Sequence, residues 1–90
     1  MKQKQGFVLR EVCGETVIVG EGVGTINFGK LISLNETAAM IWRKATELGD
    51  FTAEQLAEAL CEEYDVAYDR ALEDVRHLLK NWQDTGLLEN

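Results

Sequence analysis

One junction governs what this chain can fold into. At Leu34-Asn35-Glu36-Thr37-Ala38-Ala39, followed by Ile41-Trp42, a strand-like N-terminal third hands over to helical sequence. Upstream, the residues alternate and carry glycines. Downstream, apolar residues recur at helical spacing to the end. Ninety residues hold one core and no second domain. The chain therefore reads as α+β: a three-stranded N-terminal antiparallel sheet followed by three helices. The arrangement is winged-helix-like, with the sheet first in sequence.

The element signals are local. Phe7–Val12 and the β-branched run Glu15–Gly20 flank Cys13-Gly14 and predict an antiparallel hairpin. Gly20–Gly24 is a flexible connection, Thr25–Gly29 is partly extended, and Lys30–Leu34 is a third strand. Asn35 caps a first helix, with Glu36 at the positive end of its dipole; Ser33 and Glu36 form an alternative capping box. Ala38, Ile41, Trp42, Ala45 and Leu48 share a face, and Gly49-Asp50 ends the helix. Phe51 precedes a second capping box, Thr52–Gln55, and is placed to pack on Leu56 as a hydrophobic staple. The second helix reaches about Tyr64. The third covers Tyr68 to Thr85, with Ala71, Leu72, Val75, Leu78, Leu79 and Trp82 as its stripe; Gly86 ends it, and Leu87-Leu88 folds back. Residues 1–6 are expected to be a flexible start, and residues 7–89 the single domain.

Charge narrows the functions. The net charge of −7 is uneven: residues 1–34 carry four basic and three acidic side chains, residues 35–90 five and thirteen. An acidic helical half repels phosphate backbones. Arg70, Arg76 and Lys80 on the third helix stand among Glu73, Asp74 and Asp84, which opposes a DNA recognition helix. No apolar run approaches the roughly 20 residues of a membrane span. Cys13 and Cys61 share no motif and, with no signal peptide at the basic start, suit two thiols in the cytoplasm.

Several patterns resemble sites without forming them. Gly20-x-Gly22-x-Gly24 opens no helix and lacks the lysine of a phosphate loop. His77, with Glu73 and Asp74 one turn before it, has no second histidine or thiol pair to complete a metal site. The acids Glu58, Glu62, Glu63, Asp65 and Asp69 lack the spacing of a calcium loop. One histidine with scattered serine and cysteine makes no nucleophilic triad. The expectation is a non-enzyme that needs no cofactor.

The ordered set Leu34-Asn35-Glu36-Thr37-Ala38-Ala39-x-Ile41-Trp42, Phe51-Thr52 with Leu56-Ala57, Glu62–Val66, Asp74-Val75 and Gly86–Leu88 resembles the PqqD family over about residues 7–89. The resemblance implies a non-catalytic chaperone. It would hold the leader of a ribosomally made precursor peptide and present it to a modifying enzyme, of the radical-SAM class in the quinone pathway that names the family. In that family the leader lies between the third strand and the third helix and adds a strand to the sheet. The connection Gly20–Gly29 is longer than in the quinone-pathway members and lacks their proline, which points to another modified-peptide pathway.

Strand physics leads to the same place. An edge strand offers unpaired amide and carbonyl groups to an incoming backbone. The candidate peptide-binding residues are Lys30, Leu31, Ile32 and Ser33 on the strand, and Leu72, Val75, Arg76, Leu79 and Lys80 on the helix. Leu31 and Ser33 face one side of the strand and Ile32 and Leu34 the other; the sequence leaves open which pair meets the peptide. A proline at Ile32 is expected to remove a ladder donor. A homodimer through the same edge is the competing arrangement, and a winged-helix protein-interaction or DNA-binding module the competing function.

Overall fold

The computed structural model of this chain describes residues 1–20 and 32–89. Its elements run β1 (Lys2–Gln3), β2 (Phe7–Val12), β3 (Glu15–Gly20), β4 (Ile32–Leu34), α1 (Glu36–Leu48), α2 (Ala53–Glu63), α3 (Tyr68–Thr85) and β5 (Leu88–Glu89). The expected α+β layout is present: an antiparallel sheet in the order β2-β3-β4, then three helices. The segment expected to be extended at Thr25–Gly29, and Lys30 and Leu31 of the expected third strand, lie outside the described residues.

The hairpin is closed by two residues. Val12 pairs with Glu15 across Cys13 (φ 53°) and Gly14 (φ 81°). Positive φ at both central positions is the type I′ turn, whose twist matches that of the strands. The register then continues without a bulge from β2 through β3 to β4, where Val17 stands opposite Ser33 and Ile18 opposite Ile32. Ile18 is fully buried, and Phe7, Leu9, Ile32 and Leu34 pack beside it, so this face of the sheet lies on the helices.

The helix boundaries follow their caps. The Asn35 side chain accepts from the Ala38 amide at 2.8 Å, so Asn35 and not Ser33 starts α1. Thr52 and Gln55 form both halves of the expected capping box. Phe51 and Leu56 on either side of it are fully buried. Trp42 of α1 and Trp82 of α3 meet edge to face, with ring centroids 5.0 Å apart and planes at 86°. Gly86, left-handed at φ 86°, turns the chain so that the Leu87 amide reaches the Trp82 carbonyl at 2.8 Å, and Leu87 is buried.

Residues 1–6, expected to be a flexible start, contain the short strand β1. Lys2–Gln3 pairs with Leu88–Glu89 in a second, two-stranded sheet. The Lys4 amide donates to Leu87, and the Gln3 side chain donates to the Trp42 carbonyl at 2.9 Å and accepts from the Thr46 hydroxyl. The buried fold-back at Leu87 creates the partner strand. Nothing in the polar run Met1–Gln5 itself predicts it.

Three substitutions test these contacts. Gly14→Ala places a Cβ in open space but in a left-handed backbone, and should cost about 1–2 kcal/mol in urea unfolding. Cys13→Asn should raise the unfolding midpoint, because asparagine tolerates that region. Trp82→Ala removes half of the ring pair at the centre of the core and should cost about 3–5 kcal/mol, a large share of the stability of a small domain.

Candidate peptide-binding site

Among the described residues the three-stranded sheet has two edge strands, β2 and β4. Among the described residues β4 has a single strand neighbour, β3. Which of its backbone groups face outward can be counted from the turn. A type I′ turn closes on a hydrogen-bonded pair, here Val12 and Glu15. Pairs alternate along an antiparallel ladder, so Arg10 and Val17 are also hydrogen-bonded, and Val17 directs its N–H and C=O toward β2. Thr16 and Ile18 then direct theirs toward β4, where they meet Leu34 and Ile32. Ser33, between these two, directs its N–H and C=O outward to the open margin.

This phase changes the reading of Ile32. Its amide belongs to the protein's own ladder with Ile18, so a proline there breaks the sheet and does not report on a guest strand. Ser33 is the described residue whose amide is available at the margin. Its side chain is exposed, on the face away from the helices. Ile32 and Leu34 are half-buried on the helix face.

The helical part of the expected site is α3. Val75 is fully enclosed and Leu79 nearly so, which makes them core residues that back the surface. Leu72 is half-buried, and Arg76 and Lys80 are exposed. Leu72, Arg76 and Lys80 line an open depression of about 500 Å³ together with Asp69, Glu73 and His77. The last three were not among the expected site residues. Their signal was present in the sequence: positions 69, 72, 73, 76, 77 and 80 form one helix face at three- and four-residue spacing. Arg76 reaches Glu54 at the start of α2, 3.8 Å away and exposed on both sides, a contact of small energy. All described wall residues of the depression come from α3. Ile32 and Leu34 of β4 and Leu72 of α3 all pack against the one hydrophobic core.

Among the described residues no group of three or more histidine, cysteine, aspartate or glutamate side chains is placed to hold a metal ion. Cys13 and Cys61 are free thiols, exposed and half-buried respectively. No described helix is long and apolar enough to cross a membrane.

Comparison with known proteins agrees with this architecture. A solved structure described as TbiB1 in complex with the TbiA(beta) leader peptide matches with a TM-score of 0.77 and 26% sequence identity, over 100% of this chain and 96% of that one. A second, lasso peptide synthetase B1 complexed with the leader peptide, matches with a TM-score of 0.76 over 99% of this chain and 96% of its own; at 19% identity it speaks for the fold alone. Curated proteins gave no match. The family model for coenzyme PQQ synthesis protein D matches residues 15–88, which take in β3, β4 and all three helices, and this chain belongs to the PqqD family.

Proposed function

We infer that this chain is a peptide-binding recognition module that captures the leader of a ribosomally made precursor by strand addition. The observation that carries the reading is the open β4 margin with the outward backbone of Ser33, in a fold shared with a protein solved in complex with a leader peptide. The guest backbone pairs with Ser33. The guest residue opposite Ser33 points away from the helices, and its two neighbours point toward α3. Ile32, Leu34 and Leu72 give those neighbours apolar surface, with Val75 and Leu79 holding α3 in place behind it.

The module's part is to bind and present, and the chemistry belongs to a modifying enzyme. The family resemblance supports a radical-SAM enzyme in that role, and the likeness to TbiB1 supports a pathway other than the quinone's. A second copy of this chain on the β4 margin is the competing occupant. Sedimentation with and without peptide separates the two, because a guest strand and a second copy exclude each other there. A DNA-binding role is disfavoured by Asp69 and Glu73 on the face that would meet the duplex.

Labelled leader peptides from short reading frames beside this chain's gene should bind with a Kd of about 1 μM or lower, near −8 kcal/mol. Ser33→Pro should fold, since proline is tolerated on an edge strand whose N–H faces out. It should weaken binding about tenfold or more; a folded Ser33→Pro with unchanged affinity rules out strand addition. Ile32→Pro should instead lose the folded sheet, visible as a collapsed unfolding transition before any peptide is added. By hydrogen exchange, the Ser33 amide should exchange faster than those of Ile32 and Leu34 in the free protein. Peptide should slow it, and an amide at Ser33 already protected without peptide contradicts the ladder phase.

A further inference from the structure

The depression on α3 is charged in a way that a merely solvated helix does not require. Asp69 and Glu73 stand one turn apart toward the N-terminal end, and Arg76 and Lys80 one turn apart toward the C-terminal end. Like charges four residues apart repel each other on a helix. The adjoining face of α3 follows the opposite habit, with Arg70 Nε 3.4 Å from Asp74 Oδ1. The helix dipole explains Asp69 in the first turn. Its influence fades before Glu73, and Lys80 stands short of the last turn. Asp69, Glu73 and Lys80 make no ion pair among the described residues, and Arg76 has only its long contact with Glu54. The surface is thus split into an acidic end and a basic end, with Leu72 as its apolar side chain.

We propose that this face selects leader segments bearing opposite charges at positions i and i+4 with an apolar residue at i+2: the basic side chain lies by Asp69 and Glu73, the acidic one by Arg76 and Lys80. The proposal rests on the strand-addition reading and names its ligand chemistry. The dimensions agree. From Asp69 to Lys80 the helix rises about 16 Å, and the centres of its two charged ends lie about 10 Å apart. Residues i and i+4 of an extended strand lie about 13 Å apart and point to one side. That side is the helix side when i+1 or i+3 pairs with Ser33. A guest so charged relieves both like-charge pairs on α3, whereas a guest with its charges exchanged adds repulsion at both ends. The groove thereby distinguishes the two directions in which a strand could be laid on β4, a choice the backbone hydrogen bonds leave weakly determined.

The test is selection of a random dodecapeptide library against the whole chain and against the quadruple variant Asp69→Lys, Glu73→Lys, Arg76→Glu, Lys80→Glu, which exchanges the two charged ends, keeps the net charge and alters only exposed positions. Peptides enriched on the natural chain should carry the i, i+4 charge pair in one order and those enriched on the variant in the other. Each set should bind its non-cognate protein about three- to tenfold more weakly, with the difference lost at high salt. Enriched peptides that lose affinity on Ser33→Pro but show no charge order, or bind both proteins equally, overturn the charge selection and leave strand addition standing. Failure to enrich any peptide, or enrichment indifferent to Ser33→Pro, overturns strand addition and this proposal with it.

Discussion

The phase of the backbone ladder decides what this protein can offer a partner, and that phase is set at Cys13-Gly14. Two residues with positive φ close the hairpin on the pair Val12 and Glu15. From that pair the alternation of hydrogen-bonded and non-bonded positions is carried across β3 to β4, where it leaves the amide and carbonyl of Ser33 pointing outward. The same count puts Phe7, Leu9, Ile18, Ile32 and Leu34 on the helices. One residue more or fewer in the turn would shift the register and send the apolar set to the wrong face. The turn, the core and the open margin are therefore one constraint seen at three places.

The helices make that margin a rigid partner. Asn35 caps α1 immediately after β4, so the end of the strand is tied to the start of a helix with no slack between them. Trp42 locks α1 against α3 through Trp82, and the turn at Gly86 sends Leu87 under the same core. The N-terminal strand closes over this region by pairing with Leu88–Glu89. The enclosed side chains Val75 and Leu79 fix the α3 wall before any ligand arrives. A wall already in place costs little ordering entropy on binding, and this favours affinity without added contact area.

Much of this was legible in the sequence because the signals are local. Caps at Asn35 and Thr52, the stop at Gly86 and the stripes of all three helices depend on residues within one or two turns of each other. The edge was legible in outline and not in detail. Whether Ile32 or Ser33 faces outward depends on a count that begins at Val12, some 20 positions away, and a strand read by itself does not contain it. Read alone, β4 made Ile32 the natural site for a proline; read from the turn, Ser33 is. The strand at Lys2–Gln3 was missed for a related reason. Its partner forms only after Leu87 is buried, so no pattern within Met1–Gln5 announces it. Asp69, Glu73 and His77 share a helix face with Leu72, Arg76 and Lys80, yet the sequence weighed them only for metal, calcium or DNA and not together with those three.

Backbone pairing at one residue does not by itself hold a peptide. A hydrogen-bonded pair at Ser33 exchanges two bonds, worth about 1–3 kcal/mol net, whereas micromolar affinity needs about 8. Association costs at least about 4 kcal/mol more in lost freedom. The difference, roughly 10 kcal/mol, corresponds to about 400 Å² of apolar surface removed from water. That is two or three large side chains. They have to come from the guest residues flanking the one opposite Ser33, since only these reach Ile32, Leu34 and Leu72. The exposed charges of α3 contribute less to affinity, because exposed ion pairs are weak and screened by salt. In the proposed complex their effect would be on direction and choice. There the margin of β4 would set where a guest lies, its apolar side chains how tightly it is held, and the charged ends of α3 which guest, and which way round, is accepted.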